Sequence, residues 1–177
     1  MNLLERAVVH LQHQGVECAV IGAAALAVHG IARSTIDLDV LVADRRCLDH
    51  AFWQPVREAG VDVALRRGDA ADPLAGVIRL AVAGEPNVDV VVGKPRWHAE
   101  VIRRAIPARV DGVEVRAADL ILLKLYAGGP QDAWDIAQLL ATCERPALSP
   151  EVEARLDELP AEARHLWTRI VDAERRP

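Results

Sequence analysis

The stretch that most limits how this chain can fold is Ile36-Asp37-Leu38-Asp39-Val40-Leu41-Val42, a β-branched run carrying an acid at two alternate positions. Side chains of an extended strand alternate between faces, so Asp37 and Asp39 project from one side and Ile36, Leu38 and Val40 from the other. The apolar side needs a core beneath it. The acidic side needs water or a cation, because aspartate is depleted in strands and like charges held close together repel. A second stretch of this kind, Asn87-Val88-Asp89-Val90-Val91-Val92-Gly93, sets Asp89 between valines. If its strand pairs beside residues 36–42, three carboxylates converge on one sheet face.

What surrounds these runs bounds the rest. A chain of 177 residues holds one core and a small helical appendage. An apolar share of 51% supplies enough core to exclude disorder, and an aromatic share of 3% excludes a surface that stacks bases on a row of Phe and Tyr. The net charge of −5 argues against nucleic-acid binding through a global positive field. Between Lys94 and Arg116 six cations meet three anions, which is either a local basic patch or a solvated face. Cys18, Cys47 and Cys143 are odd in number and widely spaced, so neither a disulfide framework nor a zinc site is expected, and a cytoplasmic location fits. The N-terminus lacks the order of a signal peptide, and the apolar run from Cys18 to Val28 is too short to span a bilayer, so no membrane partner is expected.

Apolar spacing predicts a helix from Leu3 that stops at Gly15, a strand over 16–21, a turn at Gly22 and a helix over 23–28. A helix over 45–59 with a kink near Pro55 follows, then strands over 61–65, 77–82 and 88–92 and a helix over 96–105. Asp111-Gly112 has the composition of a tight hairpin. Beyond residue 117 the signal is helical, over 118–127, 131–142 and one or two pieces between Pro150 and Glu174. The class is α/β, or α+β: a small mixed sheet flanked by helices over residues 1–116, then a helical region over 117–177 packed on that core. The scattered histidines suit structural or surface roles, and Trp53, Trp97, Trp134 and Trp167 suit packing.

Chemistry concentrates in residues 21–42. Carboxylate oxygens suit Mg²⁺ or Mn²⁺, and three convergent acids (Asp37, Asp39, Asp89) are enough to hold two ions for an in-line phosphoryl displacement. An exposed sheet face would show the same three acids with no ion. The neighbourhood weighs toward chemistry: Gly22-Ala23 stands at a strand-to-helix turn whose free N–H groups can hold a phosphate oxygen, and His29-Gly30 and Arg33-Ser34-Thr35 lead into the acidic run.

This order (Gly22-Ala23, His29-Gly30, Arg33-Ser34-Thr35, Asp37-Leu38-Asp39, then Asp89) resembles the minimal nucleotidyltransferases of the DNA polymerase β-like superfamily, most closely the AbiEii-type abortive-infection toxin branch. Residues 118–140, ADLILLKLYAGGPQDAWDIAQLL, look like that family's downstream helical motif, with Lys124, Asp132 and Asp135 in matching positions. The resemblance implies a Mg²⁺-dependent enzyme that moves a nucleoside monophosphate from an NTP to an acceptor hydroxyl. Asp37, Asp39 and Asp89 would bind the ions, Gly22, Ala23, Arg33, Thr35 and Asp132 the nucleotide, and Lys124 the triphosphate. It also implies an acceptor such as tRNA, a small molecule or a protein, and a cognate antitoxin. Two departures stand out: Ala23 replaces a Gly or Ser, and Gly129 and Gln131 replace an Arg and a Lys. A nucleotidyltransferase fold kept only as a protein-interaction module is the alternative. Lys124, set among Leu122, Leu123 and Leu125, would equally suit a lysine that snorkels to the surface.

Overall fold

The computed structural model describes residues 1–33, 37–107, 113–143 and 145–174. Helix α1 (Leu3–His13) opens on a reciprocal cap: the Asn2 side chain accepts from the Glu5 N–H at 2.9 Å, and the Glu5 carboxylate accepts from the Asn2 N–H at 2.8 Å. Strand β1 (Cys18–Ile21) follows, then α2 (Gly22–Val28) and β2 (Leu38–Val42). Then come α3 (Gln54–Glu58), β3 (Asp62–Arg67), β4 (Leu74–Ala81), β5 (Val88–Gly93), α4 (Arg96–Arg104), and the two-residue strands β6 (Ile106–Pro107) and β7 (Val113–Glu114). The strands form one mixed sheet in the order β3-β4-β5-β2-β1-β7-β6. Strand β2 pairs parallel with β5 and antiparallel with β1, while β4 joins β5 and β3 antiparallel.

The alternation read in the sequence decides which face is packed. Val40, Val42, Val88, Val90, Val92, Ile78 and Leu80 are buried in one cluster with Leu3, Ala7, Val8 and Leu11 of α1 and with Trp53. Full burial of such a side chain contributes roughly 1.5–3 kcal/mol. The opposite pleat of the same strands carries Asp39, Asp89 and Arg79, all partly or fully open to solvent.

Two expectations are corrected here. Residues 45–59 are not one kinked helix. Asp44 accepts from the Arg46 N–H at 2.8 Å and Asp49 from the Ala51 N–H at 3.0 Å, so each starts its own 3₁₀ turn, Arg45–Leu48 and His50–Trp53. Pro55 falls in the first turn of α3, where its missing N–H breaks no helical bond. The last segment begins earlier than Pro150: α7 (Arg145–Glu153) contains that proline at the loss of one main-chain hydrogen bond. Asp111 and Gly112 lie outside the described residues, although β6 and β7 on either side pair antiparallel.

The chain divides into two units, residues 1–24 with 34–115 and residues 25–33 with 116–177. The second unit adds α5 (Ala117–Ala127), α6 (Pro130–Thr142), α7 and α8 (Ala161–Glu174). Helix α5 is its centre, in contact with α6, α7 and α8, and Leu120, Ile121, Leu122 and Leu125 are buried there. It stops at Gly128, whose φ of +71° is a left-handed cap that glycine adopts without strain. Trp53, Trp97 and Trp167 are buried as expected for packing, but Trp134 is 48% exposed on α6. Among the described residues no helix is long and apolar enough to cross a membrane.

Candidate active site

In the first unit the parallel pairing of β2 and β5 places Asp39 directly opposite Asp89. The same row continues across the sheet to Arg79 on β4 and Ala64 on β3. Arg79 therefore shares its face with the acids. Its Nε donates to Asp89 Oδ1 at 2.8 Å and its Nη2 to Asp89 Oδ2 at 2.6 Å, while Nη2 also reaches Asp37 Oδ2 at 3.1 Å. Asn87 Nδ2 donates to the other oxygen of Asp37 at 3.3 Å. The hydrogen bond to Asp89, then the charges of Asp89 and Asp37, hold the guanidinium pKa above its ordinary value. Asp37 and Asp89 thus share one cation.

Asp39 owes its place to Gly22. That glycine has φ +66°, and a Cβ built on it would stand 2.2 Å from Asp39 Oδ2. Any other residue would be strained in its backbone and would displace the carboxylate. Ala23 follows in the first turn of α2.

The donor chemistry of this face suits a divalent ion: carboxylate oxygens are the hard ligands Mg²⁺ takes, and Arg79 already stands between Asp37 and Asp89 as a cation. Among the described residues no three acidic, histidine or cysteine side chains are drawn together in ion-holding geometry.

The second unit holds a different charge cluster. Lys124 is 6% exposed, and its Nζ donates to Asp135 Oδ2 at 2.6 Å and to Asp132 Oδ1 at 3.3 Å. Arg33 Nη1 donates to the same Asp135 oxygen at 2.9 Å. Asp132 Oδ2 accepts from the Gly129 N–H at 3.0 Å and so caps α6. Asp135, fully buried, is the hub. Lys124 does not snorkel to the surface. Its ammonium is turned onto two carboxylates.

Asp37, Asp39, Asp89, Gly22 and Ala23 therefore belong to the first unit, and Arg33, Lys124 and Asp132 to the second. Thr35, like Ser34 and Ile36, lies outside the described residues. Asp37 precedes β2 rather than lying within it. The cations between Lys94 and Arg116 do not pool into one patch. Lys94 donates to the carbonyls of Asp69, Ala70 and Asp72, Arg104 pairs with Glu100, and Arg116 pairs with Glu151, while Arg109 lies outside the described residues. Sequence reasoning missed Arg79 and Asn87. The signal for Arg79 was present: in Val77-Ile78-Arg79-Leu80-Ala81 a charge takes an alternate place in an apolar strand, as the acids do in residues 36–42.

No family model matches the chain. No curated protein matches it by sequence. Solved structures do. The antibiotic-resistance factor ANT(2'')-Ia is similar over 94% of this chain and 90% of its own, at 13% identity and a TM-score of 0.51. An antigenic nucleotidyltransferase-like protein from Paracoccidioides brasiliensis covers 92% of this chain and 91% of its own at 14% identity and a TM-score of 0.47. The Megavirus polyadenylate synthase covers 98% of this chain with 36% of its own length at 8% identity and a TM-score of 0.43. The fold is nucleotidyltransferase-like: a mixed sheet flanked by helices and followed by a helical region.

Proposed function

We propose that this protein is a nucleotidyltransferase that moves a nucleoside monophosphate from an NTP to an acceptor hydroxyl and releases pyrophosphate. The observation that carries the reading is the single row on which Asp39, Asp89 and Arg79 stand, with Gly22 vacating the space that Asp39 needs. An acid pair kept at direct cross-strand distance on a solvent-open face works against stability, so its upkeep points to chemistry.

Asp37, Asp39 and Asp89 would hold Mg²⁺. When bound, the ion neutralises triphosphate oxygens and steadies the charge that develops on the leaving group. Asp89 ends the acid row, between Asp39 and Arg79 and in the lining of a cavity, and is assigned the proton of the acceptor hydroxyl. The hydroxyl oxygen bonds to the α-phosphorus as the α-phosphorus to bridging-oxygen bond breaks. The electron pair leaves with pyrophosphate, and the proton stays on the Asp89 carboxylate. The first backbone N–H groups of α2, at Gly22 and Ala23, are unbonded within the helix and are assigned to the terminal phosphates. Lys124 and Arg33 are engaged by Asp135 and are given no step in this chemistry.

The test is incubation of the purified chain with Mg²⁺, each α-labelled NTP and separate pools of total tRNA and small hydroxyl compounds. Label moving into an acceptor, and lost in Asp39→Asn, is the expected result. No transfer and no thermal stabilisation by any NTP with Mg²⁺ would leave the fold as an interaction module.

A further inference from the structure

A cavity of about 570 Å³ opens in the first unit beside Asp89. Its lining runs along β3 and β4 from Ala64 to Arg79, and the segment between those strands closes it. That volume is within the range of small-molecule sites, about 300–1,000 Å³. The closing segment is held in shape. Asp69 Oδ1 accepts from the N–H groups of Ala71 and Asp72 at 2.7 and 3.1 Å. From the end of β5, Lys94 Nζ binds the carbonyls of Asp69, Ala70 and Asp72 at 3.1, 2.8 and 3.1 Å. One ammonium on three carbonyls pins the wall before any ligand arrives.

The charges around the cavity are unequal in availability. Asp89 is engaged by Arg79, and Asp72 accepts from the Asp69 N–H at 2.7 Å. Arg67 donates to the carbonyl of Leu48. Arg66 is exposed and has no ion pair or hydrogen bond among the described residues. It stands opposite Val77, two residues along β3 from Ala64, which itself stands opposite Arg79. Arg66 therefore shares the sheet face of Arg79 and Asp89. Two strand spacings and a two-residue rise separate its Cα from that of Asp89 by about 12 Å, leaving room for a small molecule between the two side chains.

We infer that this cavity receives the acceptor, and that the acceptor is a small polyol bearing a phosphate or carboxylate. Arg66 binds the anion, and a hydroxyl of the same molecule is presented to Asp89. The placement at Asp89 rests on the transfer reading above. The charge preference rests on the cavity alone: an amino sugar would bring its ammonium to the exposed Arg66, while Asp72 is taken up by the Asp69 N–H. A planar guanidinium with no competing partner suits bidentate capture of a phosphate or carboxylate.

The test separates the two parts. Amide shifts of the isotopically labelled full chain, without NTP or metal, are followed as ribose 5-phosphate, gluconate, ribose, glucosamine or a short oligoribonucleotide is added at matched concentrations. The two anionic polyols should move the amides of Ala64, Arg66 and Val77, and ribose and glucosamine should not. Arg66→Gln should weaken the anionic polyols by at least roughly tenfold, with Arg66→Lys in between, since a charge-assisted contact to phosphate is lost. Glucosamine binding at these amides as tightly as the anions would overturn the proposal. So would a response to the oligoribonucleotide alone, or silence from both anions. Should the anions bind as expected while no α-labelled NTP ever donates label in Mg²⁺, the transfer reading falls and the anion preference of the cavity stands.

Discussion

The two charge clusters of this protein are built from the same residue types and obey opposite rules. In the second unit Lys124 and Arg33 meet Asp132 and Asp135, two cations for two acids, with Asp135 at 0% exposure and Lys124 at 6%. In the first unit Asp37 and Asp89 pair with Arg79, and the Arg79 side chain is 50% exposed. A charge removed from water is tolerated only when paired, so the buried cluster is balanced. In an exposed cluster water screens the charges, so they can exchange partners at little cost. Burial marks the second unit's cluster, and the exposed cluster is the one proposed to be reactive.

The largest expected effect breaks the contrast on the reactive side. Asp89→Asn and Asp39→Asn should each lower nucleotidyl transfer by about 10²–10⁴-fold. For Asp39→Asn the denaturant midpoint should hold or rise as a repelling charge is removed, whereas Asp89→Asn also loses its bonds to Arg79. A midpoint that falls along with activity in Asp39→Asn would make that acid structural. On the other side, Asp135→Asn should cost about 3–5 kcal/mol of unfolding free energy, because Lys124 loses its 2.6 Å partner while remaining buried. Lys124→Met combined with Asp135→Leu should recover most of that loss, measured by chemical denaturation.

Burial of an ionisable group is tested by pH. His98, 1% exposed in α4, has its pKa lowered to about 4 by desolvation. Between about pH 6.5 and pH 4 the unfolded chain binds a proton that the folded chain refuses, so stability is full above this window and falls as pH drops through it, by about 3 kcal/mol in total. His98→Gln should flatten that slope in denaturation curves taken at several pH values. The smallest effect concerns Arg79, in the cluster proposed to be reactive. Arg79→Met should tighten Mn²⁺ binding by roughly tenfold, read by the paramagnetic resonance of free Mn²⁺, because it removes a positive charge beside the ion's ligands. The same change at Arg66 should matter less, and equal shifts in both variants would show that Arg79 does not stand in the cation's place.

Much of the reactive cluster was legible because a strand has period two. Asp39 and Asp89 sit at alternate positions of apolar runs, and that local pattern is enough to place them on the polar pleat. Arg79 follows the same pattern without standing out, because a single arginine at a strand position reads equally well as a solubilising surface charge. The turn glycine was legible as a turn. Its closeness to Asp39 was not, since 17 positions of chain separate the two and only the antiparallel pairing of β1 with β2 brings them together.

Local alternation and helical spacing follow from backbone geometry, so the order of residues alone separates the inside from the outside of each strand and helix. It also named the three acids. Tertiary structure decided the rest: that β5 lies parallel beside β2, that Arg79 and not a more distant cation meets Asp37 and Asp89, and that Lys124 ends on Asp135, eleven residues away, as a buried pair. Those outcomes depend on strand order and helix packing. Both are set by the summed burial of side chains from many separated segments, and no local window of sequence contains that sum.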